Sequence, residues 1–188
     1  MHYYGAAQLA AGFRTVRDNT IRVAEEIPED AYGREIAPGM ATIAGTIAHI
    51  ALWPSRRYDM FETERVTTLV GYDFTAARAA LRAEESTPRS KAELVALLRS
   101  EGTRIADWLA SLDEARLAVM VADPVGPGAK STFEHLLAIK EHEMHHRAQL
   151  MVAERTLGIV PHTTRAAAER RAAAELARQQ REARAAAP

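Results

Sequence analysis

Apolar residues recur at spacings of three and four in four long segments, which is the spacing of one face of an α-helix. The segments are residues 8–27, 42–61, 90–112 and 131–157. Alanine, the strongest helix former, supplies 38 of the 188 residues. Helices of this kind bury their apolar faces against one another, so the sequence predicts an all-α protein built as a four-helix bundle.

Helix-end signals support these boundaries. Ser90 followed by Glu93, and Ser131 followed by Glu134, have the spacing of capping boxes. Gly158 has the place of a C-terminal cap. A shorter helix is expected over residues 73–85. Residues 117–130 could hold a short strand, but an ordered loop is the favoured interpretation.

The second segment is apolar on two faces, which is typical of a helix in the core. His49 lies in the middle of one of these faces, in a stripe with Trp53. Pro54 follows one turn later and has no N–H to donate to the carbonyl of Ile50. We expect it to kink the helix or to begin a new one.

Composition excludes several function classes. The chain has no cysteine, which rules out disulfides, thiolate metal sites and a cysteine nucleophile. Its net charge of −1 gives no surface typical of nucleic-acid binding. No apolar run approaches the roughly 18 residues of a membrane span, and the N-terminus lacks the pattern of a secretion signal. We therefore expect no nucleic-acid partner, no membrane association and a cytoplasmic location.

The composition shifts at residue 165. Residues 165–188 contain 11 alanines, six arginines and three glutamates, and carry a charge of +3 against −4 for the rest. We expect residues 1–164 to form the bundle. Residues 165–188 are expected to be a helical or frayed extension that is exposed or packs on a partner subunit.

Three histidines fall within five positions near the end of the last segment. His142 and His146 are four residues apart, so their imidazoles lie on one face of a helix and can converge on one divalent ion. His49, on a second core helix, is the natural third ligand. His145 lies to one side, and His135 is a competing candidate; His2 and His162 are assigned no role.

The same residues also spell HExxH, in which Glu143 would be the general base of a zinc protease. That mechanism needs a third ligand downstream. Position 152 is valine where one protease class has histidine, and Glu154 is too close on the same helix. The remaining acidic candidates, Glu169, Glu175 and Glu182, lie in the tail, which makes a protease the weaker interpretation.

The pattern resembles the DinB family, also called the DinB/YfiT-like superfamily. The specific match is the segment from His142 to Leu150, HEMHHRAQL, supported by the TIAHI segment around His49. Weaker matches bring the resemblance to most of residues 3–164. It implies a four-helix bundle with a rearranged helix order, often a homodimer, and a metal held by His49, His142 and His146.

The resemblance also implies activities in which a metal activates the thiol of a small cofactor. We therefore expect a divalent ion, with zinc or nickel favoured and iron possible by ligand type, and a low-molecular-weight thiol. The first hypothesis is a metal-dependent S-transferase acting on a small molecule. Metal-dependent hydrolysis and a non-catalytic, metal-binding stress-response protein are the alternatives.

Overall fold

The structure is a computed structural model that describes residues 4–185. Its α-helices, in chain order, are α1 (Ala6–Glu26), α2 (Ile43–Tyr58), α3 (Phe74–Glu85), α4 (Lys91–Ser111), α5 (Glu114–Leu117), α6 (Thr132–Thr156) and α7 (His162–Ala185). A 3₁₀ turn covers Glu29–Ala31, a π-helical turn covers Asp59–Thr63, and two short strands are β1 (Met120–Ala122) and β2 (Ala129–Ser131).

Helices α1, α2, α4 and α6 form the predicted four-helix bundle. Both α1 and α2 pack against α4 and against α6, so the order around the bundle is α1, α4, α2, α6. Helices α1 and α2 therefore stand at opposite corners of the bundle, and so do α4 and α6. Helices α2 and α6, which carry the three predicted ligands, are neighbours.

The helix boundaries agree with the local signals. Ser90 and Glu93, and likewise Ser131 and Glu134, form complete capping boxes. Gly158 follows α6 with a φ of 79°, a left-handed conformation that glycine adopts without strain. Helix α2 continues through Pro54 and passes directly into the π-helical turn. The departure from α-helical geometry therefore begins at Asp59, five residues after the proline at which the sequence predicts it.

The expectation of a loop over residues 117–130 was wrong. β1 and β2 pair antiparallel, with Val121 opposite Lys130. The side chain of Val121 is fully buried, and its burial anchors the hairpin on the bundle. The three-residue strands are too short for an alternating pattern to reveal them in the sequence.

Helix α7 lies largely outside the core. His162 at its start is buried, whereas most of the helix beyond residue 168 is exposed. Arg165 pairs with Glu26 of α1, with nitrogen–oxygen distances of 2.6 and 3.0 Å. The division of the chain at residue 164 stays a prediction, and the last three residues lie outside the described part.

Within residues 4–185, none of the helices combines the length and the apolar character that crossing a lipid bilayer requires.

Candidate metal centre

Three histidine side chains meet between α2 and α6. His142 Nε2 lies 3.2 Å from His49 Nε2 and 3.3 Å from His146 Nε2. One ring nitrogen from each residue lies within 4.8 Å of the other two, an arrangement that could hold a metal ion. The structure thus brings together the three residues that the sequence singles out.

The opposite ring nitrogens of two of these histidines are held by neighbouring side chains. His49 Nδ1 lies 2.5 Å from a carboxylate oxygen of Glu85, and His146 Nδ1 lies 3.0 Å from the amide oxygen of Gln149. Both partners are acceptors, so each Nδ1 carries a hydrogen. In a neutral imidazole the Nε2 atom then presents its lone pair, which is the form that binds metal.

This donor set fits a divalent cation. Two nitrogens bound to a tetrahedral zinc ion at about 2.0–2.1 Å lie about 3.3 Å apart, which matches the two short separations here. Without a cation, the lone pairs of His49 and His146 both face the Nε2 of His142. That atom has at most one hydrogen to donate, so at least one lone pair has no partner within the cluster.

Burial favours the neutral forms of His142 and His146. Desolvation, followed by the proximity of His146 and His49, lowers the pKa of His142 to about 3. Desolvation also lowers the pKa of His146, against the effect of its hydrogen bond to Gln149. The ring of Trp53 stacks on His142, with centroids 3.9 Å apart and planes 12° from parallel. His142 and His146 are therefore available as neutral ligands at physiological pH.

Glu143 cannot serve as the base of an HExxH protease. Its side chain is 1% exposed and accepts hydrogen bonds from Arg17 at 3.0–3.1 Å. It therefore lies in the bundle interior and pairs with a cation instead of meeting a substrate. The other acidic candidates also fail to join the cluster: Glu154 is buried elsewhere on α6, and Glu169, Glu175 and Glu182 are exposed on α7.

The remaining described histidines have other roles. His145 is exposed and accepts a hydrogen bond from the amide nitrogen of Gln149 at 3.2 Å, so it supports the residue that orients His146.

His135 is buried beside Phe61 and does not join the cluster. His162, to which the sequence assigned no role, is buried and lies 2.9 Å from Asn19, which ties α7 to α1. His2 lies outside the described residues.

Two open hollows reach the cluster from solvent. The first, about 320 Å³, is bounded by His49, Trp53 and Glu85. The second, about 730 Å³, reaches both His49 and His146. Small molecules of ordinary metabolite size fit such volumes.

The sequence could not reveal Glu85 as a partner of His49, because only the tertiary placement of α3 brings the two together.

The fold and the site define a class: a helical bundle in which the second and last bundle helices supply three histidines to one centre. Residues 13–150, which are most of the chain, match the sequence model of the DinB superfamily. The chain belongs to this superfamily, as the histidine segments predict. No curated protein matches the chain in sequence.

Solved structures share the fold at low sequence identity. YfiT from Bacillus subtilis, described as a probable metal-dependent hydrolase with an unusual four-helix bundle topology, has a TM-score of 0.65 at 16% identity, covering 85% of this chain and 91% of YfiT. The DinB-like protein YjoA from the same organism has a TM-score of 0.59 at 20% identity, covering 80% of this chain and 92% of YjoA. A Clostridium difficile 630 protein has a TM-score of 0.65 at 15% identity, with 82% and 98% covered.

Proposed function

We propose that the protein is a divalent-metal-dependent enzyme whose metal is held by His49, His142 and His146. The observation that supports this best is the convergence of three ring nitrogens within 4.8 Å, two of them with their lone pairs fixed inward. Three protein ligands leave coordination positions open for other molecules, which is the pattern of catalytic sites. Imidazole ligands suit zinc and nickel, and iron to a lesser degree.

Residues around the cluster orient the predicted metal ligands. Glu85 and Gln149 fix the imidazole rings of His49 and His146, and Trp53 covers one face of His142. A bound divalent cation would lower the pKa of a thiol or a water molecule and so provide a nucleophile at neutral pH.

Thiol transfer is our first candidate reaction. The chain has no cysteine, so the thiol must come from a small molecule. Of the nearby carboxylates, Glu143 is paired with Arg17 and Glu85 with His49, so neither is a free general base. In this reaction a sulfur–carbon bond forms to an electrophile, the bond to its leaving group breaks, and the thiol proton is released to solvent.

Hydrolysis is the second candidate, with water in place of the thiol. It is favoured by the fold shared with YfiT, whose description is that of a probable metal-dependent hydrolase. Amide hydrolysis would also need a proton donor for the leaving amine. Because both nearby carboxylates are engaged, activated esters are better substrates for this site than amides.

The test compares zinc- and nickel-loaded protein with its His49→Ala variant. Glutathione, mycothiol and bacillithiol are each assayed with chlorodinitrobenzene or monochlorobimane, and an activated ester is assayed without thiol. Thiol-dependent turnover that His49→Ala loses supports transfer, and ester turnover that it loses supports hydrolysis. If neither activity exceeds that of His49→Ala, the enzyme proposal is wrong for these reaction classes.

A small-molecule substrate, a homodimer and a cytoplasmic location belong to the same proposal. They rest on the resemblance and the composition. Light scattering of the purified protein at several concentrations tests the homodimer, because a dimer has twice the mass of the 20.7 kDa chain.

A further inference from the structure

The first of the two hollows beside the histidine cluster is rich in arginine. It lies between α2 and α3, is about 320 Å³ in volume, and has His49 among its lining residues. Its lining includes four arginines: Arg56, Arg57, Arg78 and Arg82. We call this hollow the arginine pocket.

Helical spacing brings these residues to the same place. Arg78 and Arg82 are four residues apart on α3 and share one face. Arg57 is four residues after Trp53 and eight after His49 on α2. It therefore lies about two helical turns from His49, the predicted metal ligand, on the same side of the helix. The guanidinium of Arg57 lies 5.1 Å from the centre of the Trp53 ring, whose face also stacks on His142.

These arginines lack acidic partners. Within residues 4–185, none of the four forms an ion pair, although many other arginines do. The one carboxylate that lines the arginine pocket, Glu85, is held by His49 at 2.5 Å. Four cations around a small hollow with one engaged carboxylate favour an anion in that hollow.

Two of the arginines are also partly withdrawn from water. Arg56 has a buried Nη1 atom without a hydrogen-bond partner. Burial lowers the pKa of Arg57, and the neighbouring charge of Arg56 adds to this effect. Desolvated cations are costly unless an anion compensates them. Arg56 also lines a separate hollow with Asp59 and Glu64. We therefore assign Arg57, Arg78 and Arg82 as the main cations of the arginine pocket.

We infer that the arginine pocket binds an oxyanion group, a carboxylate or phosphate, of the small molecule on which the histidine-bound metal acts. Guanidinium groups recognise both anions through paired hydrogen bonds. Met60, Phe74 and Leu81 complete the lining and provide apolar contacts for the carbon skeleton. The substrate class is therefore a small organic anion. This inference rests on the proposed function, since it places the anionic group next to that metal.

The experiment measures binding by calorimetry with phthalate as the anionic probe and dimethyl phthalate as its neutral counterpart. The proteins are the wild type, the double variant Arg78→Gln/Arg82→Gln, and the matched control Arg170→Gln/Arg171→Gln on α7. All four arginines of these variants are exposed, so the substitutions leave the core intact. Each protein is titrated in metal-loaded and metal-free form, and its metal content and melting temperature are recorded.

We expect phthalate to bind the wild type and the α7 control, and dimethyl phthalate to bind at least about ten-fold more weakly, because it lacks the charge. The α3 double variant should lose at least about ten-fold in phthalate affinity with unchanged metal content and melting temperature. Equal binding of phthalate by all three proteins, or no binding by the wild type, overturns the inference.

The two proposals fail in different ways. If the histidines hold no metal, metal content is zero in every protein, whereas phthalate binding to metal-free protein and its loss in the α3 variant persist. If the arginine pocket is wrong, metal content is normal and phthalate binding does not depend on Arg78 and Arg82.

Discussion

Arg17 of α1 donates a hydrogen bond from Nη2 to the main-chain oxygen of Ile50 in α2, at 3.1 Å. This oxygen is the one that Pro54 leaves without a helical donor, so the arginine replaces the missing bond. Arg17 also donates to the oxygen of Leu98 in α4 at 2.8 Å and pairs with Glu143 in α6. One side chain on α1 therefore contacts the three other bundle helices.

Breaking the pair of Arg17 and Glu143 should destabilise the fold. Because both side chains are buried, Arg17→Met or Glu143→Leu alone leaves an uncompensated charge, with an expected loss of about 3–5 kcal/mol in the free energy of unfolding. The double variant removes both charges and should lose less than the sum of the two. Urea unfolding of the four proteins measures this, and simple additivity would contradict the coupling.

Gly102 of α4 lets Arg17 cross the bundle. A Cβ atom at position 102 would lie 2.8 Å from Cγ of Arg17, closer than carbon atoms normally approach. We expect Gly102→Ala to lower the free energy of unfolding by about 1–3 kcal/mol, although alanine is the better helix former. Ala110→Gly on the same helix, at an exposed position, is the control for propensity alone. Equal melting temperatures for Gly102→Ala and the wild type would refute the close approach.

Metal content should depend on the three predicted ligands and not on the neighbouring histidine. Alanine at His49, His142 or His146 removes one of three converging nitrogens, so occupancy after dialysis should fall strongly in each variant. His145→Ala should keep most of its metal, because His145 lies outside the cluster, where it meets Gln149 and the edge of the His146 ring without offering a converging nitrogen. Elemental analysis of the four variants, purified in parallel, gives the answer. Full occupancy in His49→Ala would exclude the three-histidine site.

Glu154 should make stability depend on pH. It is fully buried on α6 without a hydrogen-bond partner, and desolvation together with the charge of Glu26 raises its pKa to about 7 from an ordinary 4.5. The folded state therefore holds this proton more tightly than the unfolded state. The resulting stabilisation is complete below about pH 4.5 and is lost as the pH rises through 7.

The measurement compares the wild type with Glu154→Gln in urea unfolding at pH 5 and pH 8. Glutamine resembles the protonated side chain but does not titrate. Between the two pH values the wild type should lose about 1–3 kcal/mol more stability than the variant, and all other titrating groups cancel in the comparison. Identical pH profiles would show that the Glu154 carboxyl titrates normally.

Deletion of residues 169–188 should change the melting temperature by only a few degrees. This part of α7 is almost entirely exposed and buries little apolar surface, whereas His162 and Arg165, which contact α1, are retained. Calorimetry and light scattering of the shortened chain test this. A large loss of stability together with a smaller assembly would mean that α7 packs on a partner subunit.

Local sequence signals were sufficient to predict the four bundle helices and to place His142 and His146 on one face of the last of them. Capping residues and apolar spacing define where α4 and α6 begin, and the spacing of His142 and His146 fixes their common face. The support of His49 by Glu85 could not be predicted, because it depends on how α3 packs on α2. The HExxH motif likewise indicates Glu143 as a general base. Its burial against Arg17 could not be predicted, because it depends on how α1 packs on α6.

The order of helices around the bundle bears on how the chain acquires its structure. Since α1 and α2 stand at opposite corners, they cannot assemble first as an antiparallel hairpin of sequence neighbours, and each must wait for α4 and α6. His49 and His142 are 93 positions apart, so the centre between them closes only when the last bundle helix docks. Such distant pairings raise the mean sequence separation of contacting residues, which slows folding relative to up-and-down bundles of the same length. During synthesis, the metal-binding geometry can form only after nearly the whole domain has left the ribosome.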